Sequence, residues 1–238
     1  MSHHTKLKKR IETLIGEFRK NPNNFFHEKE IHSRFFCLCR DDFGKAKPKD
    51  SKISLNLFRQ EYDTIWRYKR KDNPPFDERY TEVGTPACID FVILKKKFVK
   101  EHDLLTVINK DEDRRKAIRP ENISNPAIDV GIEFKMSHWT KKLSIEKAGI
   151  NQLEKGLLED CRKLAQECIP DAYIIAFSHE IDPKRVKFED LKNIAEECER
   201  VYTKYNSKCN PKGNIYIDII TPKQRLKRKY ECNDQFNT

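Results

Sequence analysis

The sequence predicts an α/β fold, a mixed central β-sheet flanked by helices, and three observations carry that expectation. Short apolar runs with strand spacing recur at Ala87–Leu94, Ile128–Met136, Ala172–Phe177 and Ile215–Ile220. Segments with apolar residues at helical spacing alternate with them. A long helical pattern from about Ile145 to Cys168 leads directly into the continuously apolar run Ala172–Phe177, as in a helical crossover to a buried strand.

From the N-terminus, Leu7, Ile11, Leu14, Ile15 and Phe18 fall on one helical face, and Asn21-Pro22-Asn23-Asn24 stops that helix. Residues 26–40 form a second helix with Glu28, Ile31, His32, Phe35 and Cys39 on one stripe. Glu28 therefore points inward with the apolar face, whereas Glu30 groups with Ser33 and Arg34. A polar loop over 41–52 precedes Ile53–Tyr68, a strand broken by a bend that carries Leu55, Leu57, Glu61, Ile65 and Trp66. Asp72-Asn73-Pro74-Pro75 is a loop before the run that contains Asp90. Residues 95–126 are charged, end in proline-containing loops and read as an insertion. After the Glu133 strand and the crossover come a helix over Phe188–Tyr205, a strand over Ile215–Ile220 and a basic tail.

With 238 residues, 36% charged and 37% hydrophobic, the chain suits one sizeable core. Its net charge of +10 favours an anionic partner, with lysine and arginine concentrated in Lys95-Lys96-Lys97, Arg114-Arg115-Lys116 and 223–229. The eight cysteines include no Cys-x-x-Cys pair and read as reduced thiols of a cytoplasmic protein. No apolar stretch approaches 20 residues, so neither secretion nor a membrane span is expected. The absence of a glycine-rich phosphate loop and of a Gly-x-Ser-x-Gly elbow removes nucleotide-driven motors, a nucleotide cofactor and serine hydrolases.

The chemistry concentrates in Gly131-Ile132-Glu133-Phe134-Lys135, which pushes a carboxylate and an ammonium out of one sheet face, and in Asp90, a lone acid in an apolar strand. Asp90 followed by Glu133-Phe134-Lys135, with Glu28 opening a helix and Glu61 in a preceding extended run, resembles the PD-(D/E)XK nuclease superfamily, the restriction-endonuclease-like fold, over roughly residues 22–180. Ile89 stands where that family carries proline, and 42 residues separate the two acids.

The resemblance implies an αβββαβ core with an insertion between the second and third core strands. Length and element order suit one domain over 1–238: an N-terminal helix (1–21), core (22–94 and 127–180), insertion (95–126) and C-terminal helix, strand and basic tail (181–238). The resemblance also implies a metal-dependent endonuclease acting on DNA, with Asp90, Glu133 and the Phe134 carbonyl holding Mg²⁺, or Mn²⁺ as substitute. Lys135 then stabilises the transition state, and Glu28 and Glu61 complete the shell. Cutting both strands favours a symmetric homodimer.

Bland readings stand beside these. Glu-x-Lys suits a solvated sheet face, Asp90 with Lys135 suits a buried salt bridge, and Asp160 with Lys163 suits a solvated helix face, Lys163 otherwise approaching a phosphate. His138 and Trp139 suit either nucleotide stacking or loop packing, and the remaining histidines are given no role. The alternative to the enzyme is a catalytically inactive nucleic-acid-binding or assembly module of the same fold.

Overall fold

A computed structural model describes residues 3–68, 85–108, 127–137, 146–179, 188–210 and 212–231. Helix α1 (His3–Lys20) buries Leu7, Ile11, Leu14, Ile15 and Phe18, the stripe its spacing dictates. Helix α2 (Glu28–Cys39) follows and buries Ile31, His32, Phe35 and Cys39. Glu30 Oε2 accepts the N–H groups of Phe26 and His27 at its start, pairing donors next to the first helical turn. Arg34 grips Glu17 through two hydrogen bonds, Nε to Oε2 at 2.7 Å, and so ties α2 to α1.

A small ribbon of β1 (Lys45–Ala46) and β2 (Leu55–Asn56) precedes a six-stranded sheet. The sheet strands lie side by side in chain order: β3 (Phe58–Tyr68), β4 (Thr85–Leu94), β5 (Ile128–Ser137), β6 (Asp171–Ser178), β7 (Asn214–Ile220) and β8 (Arg225–Glu231). Pairing is antiparallel from β3 to β5, parallel from β5 to β7, and antiparallel again between β7 and β8. Helices α3 (Lys96–Glu101) and α4 (Leu104–Ile108) follow β4. The parallel steps are made by α5 (Glu146–Gln166) and α6 (Phe188–Asn206), because a parallel neighbour is reached only by a crossover.

Alternation along the strands separates two cores. One face packs Ala172, Ile174 and Ala176 of β6 against Leu157, Cys161 and Leu164 of α5 and Leu191 and Cys198 of α6. The other packs Phe91, Ile132, Phe134 and Phe177 against α1 and α2. There the Phe35 ring lies 4.9 Å from Phe134 and 5.3 Å from Phe91, edge to face, and Phe58 stacks on Phe91 at 5.3 Å. Each such pair contributes about 0.5–1.5 kcal/mol beyond the area it buries, so β4 and β5 rest on a stiff aromatic floor.

The mixed sheet flanked by helices matches the sequence expectation, and two details do not. The basic segment after residue 223 is no tail: it is edge strand β8, with Leu226 buried and Lys227, Lys229 and Glu231 exposed. Its alternation is hard to see because inward-leaning Arg228 and Tyr230 are themselves amphipathic, and its lysines guard an open sheet edge. The thiols are not all reduced, since Cys168 and Cys209 form a disulfide that joins the end of α5 to the loop before β7. Their 41-residue separation gives no local cue; the fold brings them together. In the segment read as an insertion, α3 and α4 bury Phe98, Val99 and Val107 in the α5-side core. Residues 109–126, with Arg114-Arg115-Lys116, and also His138 and Trp139, lie outside the described residues. No helix among the described residues is long and apolar enough to cross a membrane.

Candidate functional site

Strands β4 and β5 pair from Leu94 with Ile128 as far as Phe91 with Ile132, and the register ends there, one residue short of Asp90. Farther along β5, two carboxylates take backbone donors on its β4 side. The Phe134 N–H donates to Asp90 Oδ2 at 2.7 Å, and the Met136 N–H donates to Glu28 Oε2 at 3.1 Å. Along an extended strand the N–H and C=O of one residue leave by the same edge, so the Phe134 carbonyl opens into the same gap.

His32 approaches Asp90 from α2, Nε2 to Oδ2 at 3.4 Å. The sequence reading gave this histidine no role, although it lies one turn beyond Glu28 on the same stripe, and that spacing was the available signal. Burial pushes the Asp90 carboxyl up; the nearby His32 ring, the Phe134 N–H and the Lys163 ammonium outweigh it and hold Asp90 below the usual aspartate value.

Glu133 and Lys135 project from β5 toward α5, as their period-2 spacing requires. Helix α5 meets them with Asp160 and Lys163. Lys163 Nζ lies 2.6 Å from Glu133 Oε1 and 3.2 Å from Asp160 Oδ1, and donates to the Cys88 carbonyl at 2.8 Å. Lys135 Nζ lies 3.1 Å from Asp160 Oδ2. The solvated-face reading of Asp160 and Lys163 is thus corrected, because they are only 4% and 5% exposed. Their i, i+3 spacing alone cannot distinguish a wet face from one packed on charged strand residues. The partner of Lys135 is Asp160 rather than Asp90.

Burial pushes Glu133 well above the usual glutamate value, with Asp90 and Asp160 adding to the effect and Lys163 opposing it. Burial alone would lower both lysines. Asp160, Glu28 and Glu133 more than compensate at Lys135, and Glu133 and Asp160 do so at Lys163, so both stay ammonium ions.

No family model, curated protein or solved structure matches this chain. The site's chemistry therefore has to be read from its own geometry.

Asp90, Glu28, Glu133 and Lys135 come together, coupled by charge: Asp90 acts on Glu133, and Glu28 acts on Lys135. Glu61 is exposed on β3, opposite Asp90 by the flanking register, in the left-handed backbone region at φ 49°, and no described contact joins it to the cluster. Among the described residues no three His, Cys, Asp or Glu side chains form a ready-made metal cage. Lys163 explains part of this, since its ammonium stands between Glu133 and Asp160.

The donor set nevertheless fits a hard divalent ion such as Mg²⁺, which keeps several waters and needs one or two carboxylates. Glu133 Oε1 is buried and has no well-directed hydrogen bond, only the ammonium charge beside it. Asp90 and Glu28 each rest on a backbone N–H, and the Phe134 carbonyl faces the same gap. On β8, by contrast, Arg225 binds Asp218 and Glu12, Lys227 binds Glu12, and Arg228 binds Glu196, so these three basic groups are already paired within the chain.

Proposed function

We propose that this protein is a metal-dependent endonuclease that hydrolyses DNA phosphodiester bonds, built on a restriction-endonuclease-like core of the PD-(D/E)XK kind. One observation carries the reading. Two carboxylates, Asp90 and Glu28, occupy successive backbone donors on the β5 edge beyond its pairing with β4, beside the Glu133 and Lys135 that the same strand presents. Mg²⁺, or Mn²⁺ in its place, held by Asp90, Glu133 and the Phe134 carbonyl, would supply positive charge to the phosphate oxygens and acidify a nearby water.

The chain's own groups do the rest. Hydrogen bonds to Phe134 and Met136 fix the carboxylates, so they need little reorganisation when substrate arrives. Lys135 is about a third exposed at its side chain, so its ammonium can swing from Asp160 toward a phosphate and offset the charge that grows during in-line attack. His32 orients Asp90. Double-stranded cutting would call for a symmetric homodimer.

The experiment is incubation of purified protein with supercoiled plasmid in Mg²⁺ or Mn²⁺, beside Asp90→Asn and Lys135→Ala variants. The reading expects nicking by the wild type that either substitution abolishes. Unchanged plasmid in all three, with equal DNA binding, would favour the inactive module instead.

A further inference from the structure

Lys163 stands buried in this cluster, and three protein oxygens lie around its ammonium. Glu133 Oε1 from β5, the Cys88 carbonyl from β4 and Asp160 Oδ1 from α5 surround Nζ at 2.6, 2.8 and 3.2 Å. Three oxygens converging from three separate elements on one buried positive centre is the arrangement that holds a cation. Here the cation is covalently attached to α5.

An ammonium has three donors and no acceptor. With a hydrogen bond to the Cys88 carbonyl and two carboxylates at ion-pair distance, the Lys163 ammonium is occupied by the protein's own oxygens. Its position also divides the carboxylates. Asp160 gives one oxygen to Lys163 and the other to Lys135. Glu133 Oε1 lies against Lys163. Asp90 and Glu28, meanwhile, are held by backbone N–H groups, and among the described residues neither has a lysine or arginine at ion-pair distance.

We propose that Lys163 is the resident cation of this site, a positioning residue that takes the place of a second divalent ion, so that the site binds one divalent ion and not two. The proposal rests on the nuclease reading above for the identity of the first ion, whereas the second position stands on the oxygens around Nζ. Removing the ammonium should expose Glu133, Asp160 and the Cys88 carbonyl to a divalent ion from solution, because buried carboxylates left without a counter-charge are strongly unfavourable.

The test is titration calorimetry with CaCl₂ in the absence of DNA, on wild type and Lys163→Met, together with melting curves with and without Ca²⁺. Ca²⁺ is a suitable probe because it is hard and accepts irregular oxygen cages. We expect one ion per wild-type chain and two per Lys163→Met chain, with the variant melting lower than wild type in chelator and gaining several degrees more from Ca²⁺.

Lys163→Met/Asp160→Asn, which removes an oxygen ligand of the second position, should return to one ion. Two ions on the wild type, or an unchanged single ion on Lys163→Met, would overturn the resident cation and leave the nuclease reading intact. Lys163→Met that stays unfolded in Ca²⁺ would overturn it as well. A wild type that binds none while Lys163→Met binds one would uphold the resident cation and remove the metal site on which the nuclease reading depends.

Discussion

Asp160 lies nearly equidistant from two lysines, and the structure assigns them unequal worth. Its carboxylate is 3.2 Å from Lys163 and 3.1 Å from Lys135. At an effective dielectric of about 20 each contact has a gross attraction of about 5 kcal/mol, so distance does not separate them. Exposure does. The Lys163 side chain is 7% exposed and that of Lys135 is 29%. Water can solvate Lys135 when its partner is lost, whereas Lys163 must stay buried on the remaining oxygens.

Removing one member of a buried pair costs roughly 3–5 kcal/mol, whereas an exposed pair is worth about 0.2–1 kcal/mol. Asp160→Asn should therefore destabilise the chain by about 3 kcal/mol and lower its melting temperature by roughly 6–12 °C for a protein of this size. Double-mutant cycles in urea apportion the loss. The Asp160–Lys163 coupling, measured with Lys163→Met, should be about 2 kcal/mol, and the Asp160–Lys135 coupling, measured with Lys135→Met, about 1 kcal/mol or less. A Lys135 coupling equal to or larger than that of Lys163 would refute the claim that solvent access decides between the two contacts.

Other perturbations test the frame around the site. Glu12, bound by Arg225 and Lys227, has its carboxyl pulled down to about 2 from 4.5, chiefly by the Arg225 hydrogen bond. A depressed carboxylate stabilises above its unfolded value and loses that contribution as pH falls through its folded value. Because Glu12 is nearly half exposed, solvent screening leaves about 1 kcal/mol, which Glu12→Gln should remove in urea melts at pH 6 and no longer affect near pH 2. Gly213→Ala would place a Cβ 2.1 Å from the Ile169 carbonyl oxygen, which is backbone and cannot yield, and should cost about 3 kcal/mol. Gly156→Ala meets only the Lys135 side chain, Cε at 3.5 Å and Cδ at 3.6 Å, and should stabilise α5 by about 0.5–1 kcal/mol in the same assay. Reducing the Cys168–Cys209 disulfide, which closes a loop of 41 residues, should lower stability by about 4 kcal/mol on the loop-entropy account, read from urea midpoints with and without reductant.

The elements whose pattern is periodic were legible in the sequence. The α2 stripe separated inward Glu28 from Glu30, and the structure sends Glu28 to the Met136 N–H while Glu30 caps its own helix. The period of β5 placed Glu133 and Lys135 on one face, and their shared neighbourhood on α5 follows from it. What could not be read depends on contacts between distant segments. Asp160 and Lys163 look like any i, i+3 surface pair until β5 is laid against them. His32 gains meaning only when Asp90 arrives opposite it, 58 residues later. Cys168 and Cys209 meet because α5 ends beside the loop that follows α6.

The position of Asp90 follows from a reversal in the sheet. On β4, Phe91 belongs to the core against α1 and α2, whereas Ile89, which strict alternation would put on the same face, lies in the core against α5. The partner strand reverses with it, for Phe58 packs on the α2 side and Tyr62 on the α5 side, although both are even-numbered. Between those pairs stand Asp90 and Glu61, the latter with its backbone in the left-handed region, a local break of the kind that bulges produce. At such a break a side chain belongs to neither face. Asp90 accordingly meets His32 from one face and feels Lys163 from the other, with the Phe134 N–H between them.

A sheet that served only as scaffold would gain nothing from this, since the break removes regular pairing and sets a carboxylate in an apolar strand. The division of charges argues the same way. Behind the strands Asp160 is bound by two ammoniums, while at the gap Asp90 and Glu28 are served by backbone N–H groups and one histidine. Under the proposed reading, the acids of this cluster that lie where the strands part are the ones that would receive a cation and the anion it brings.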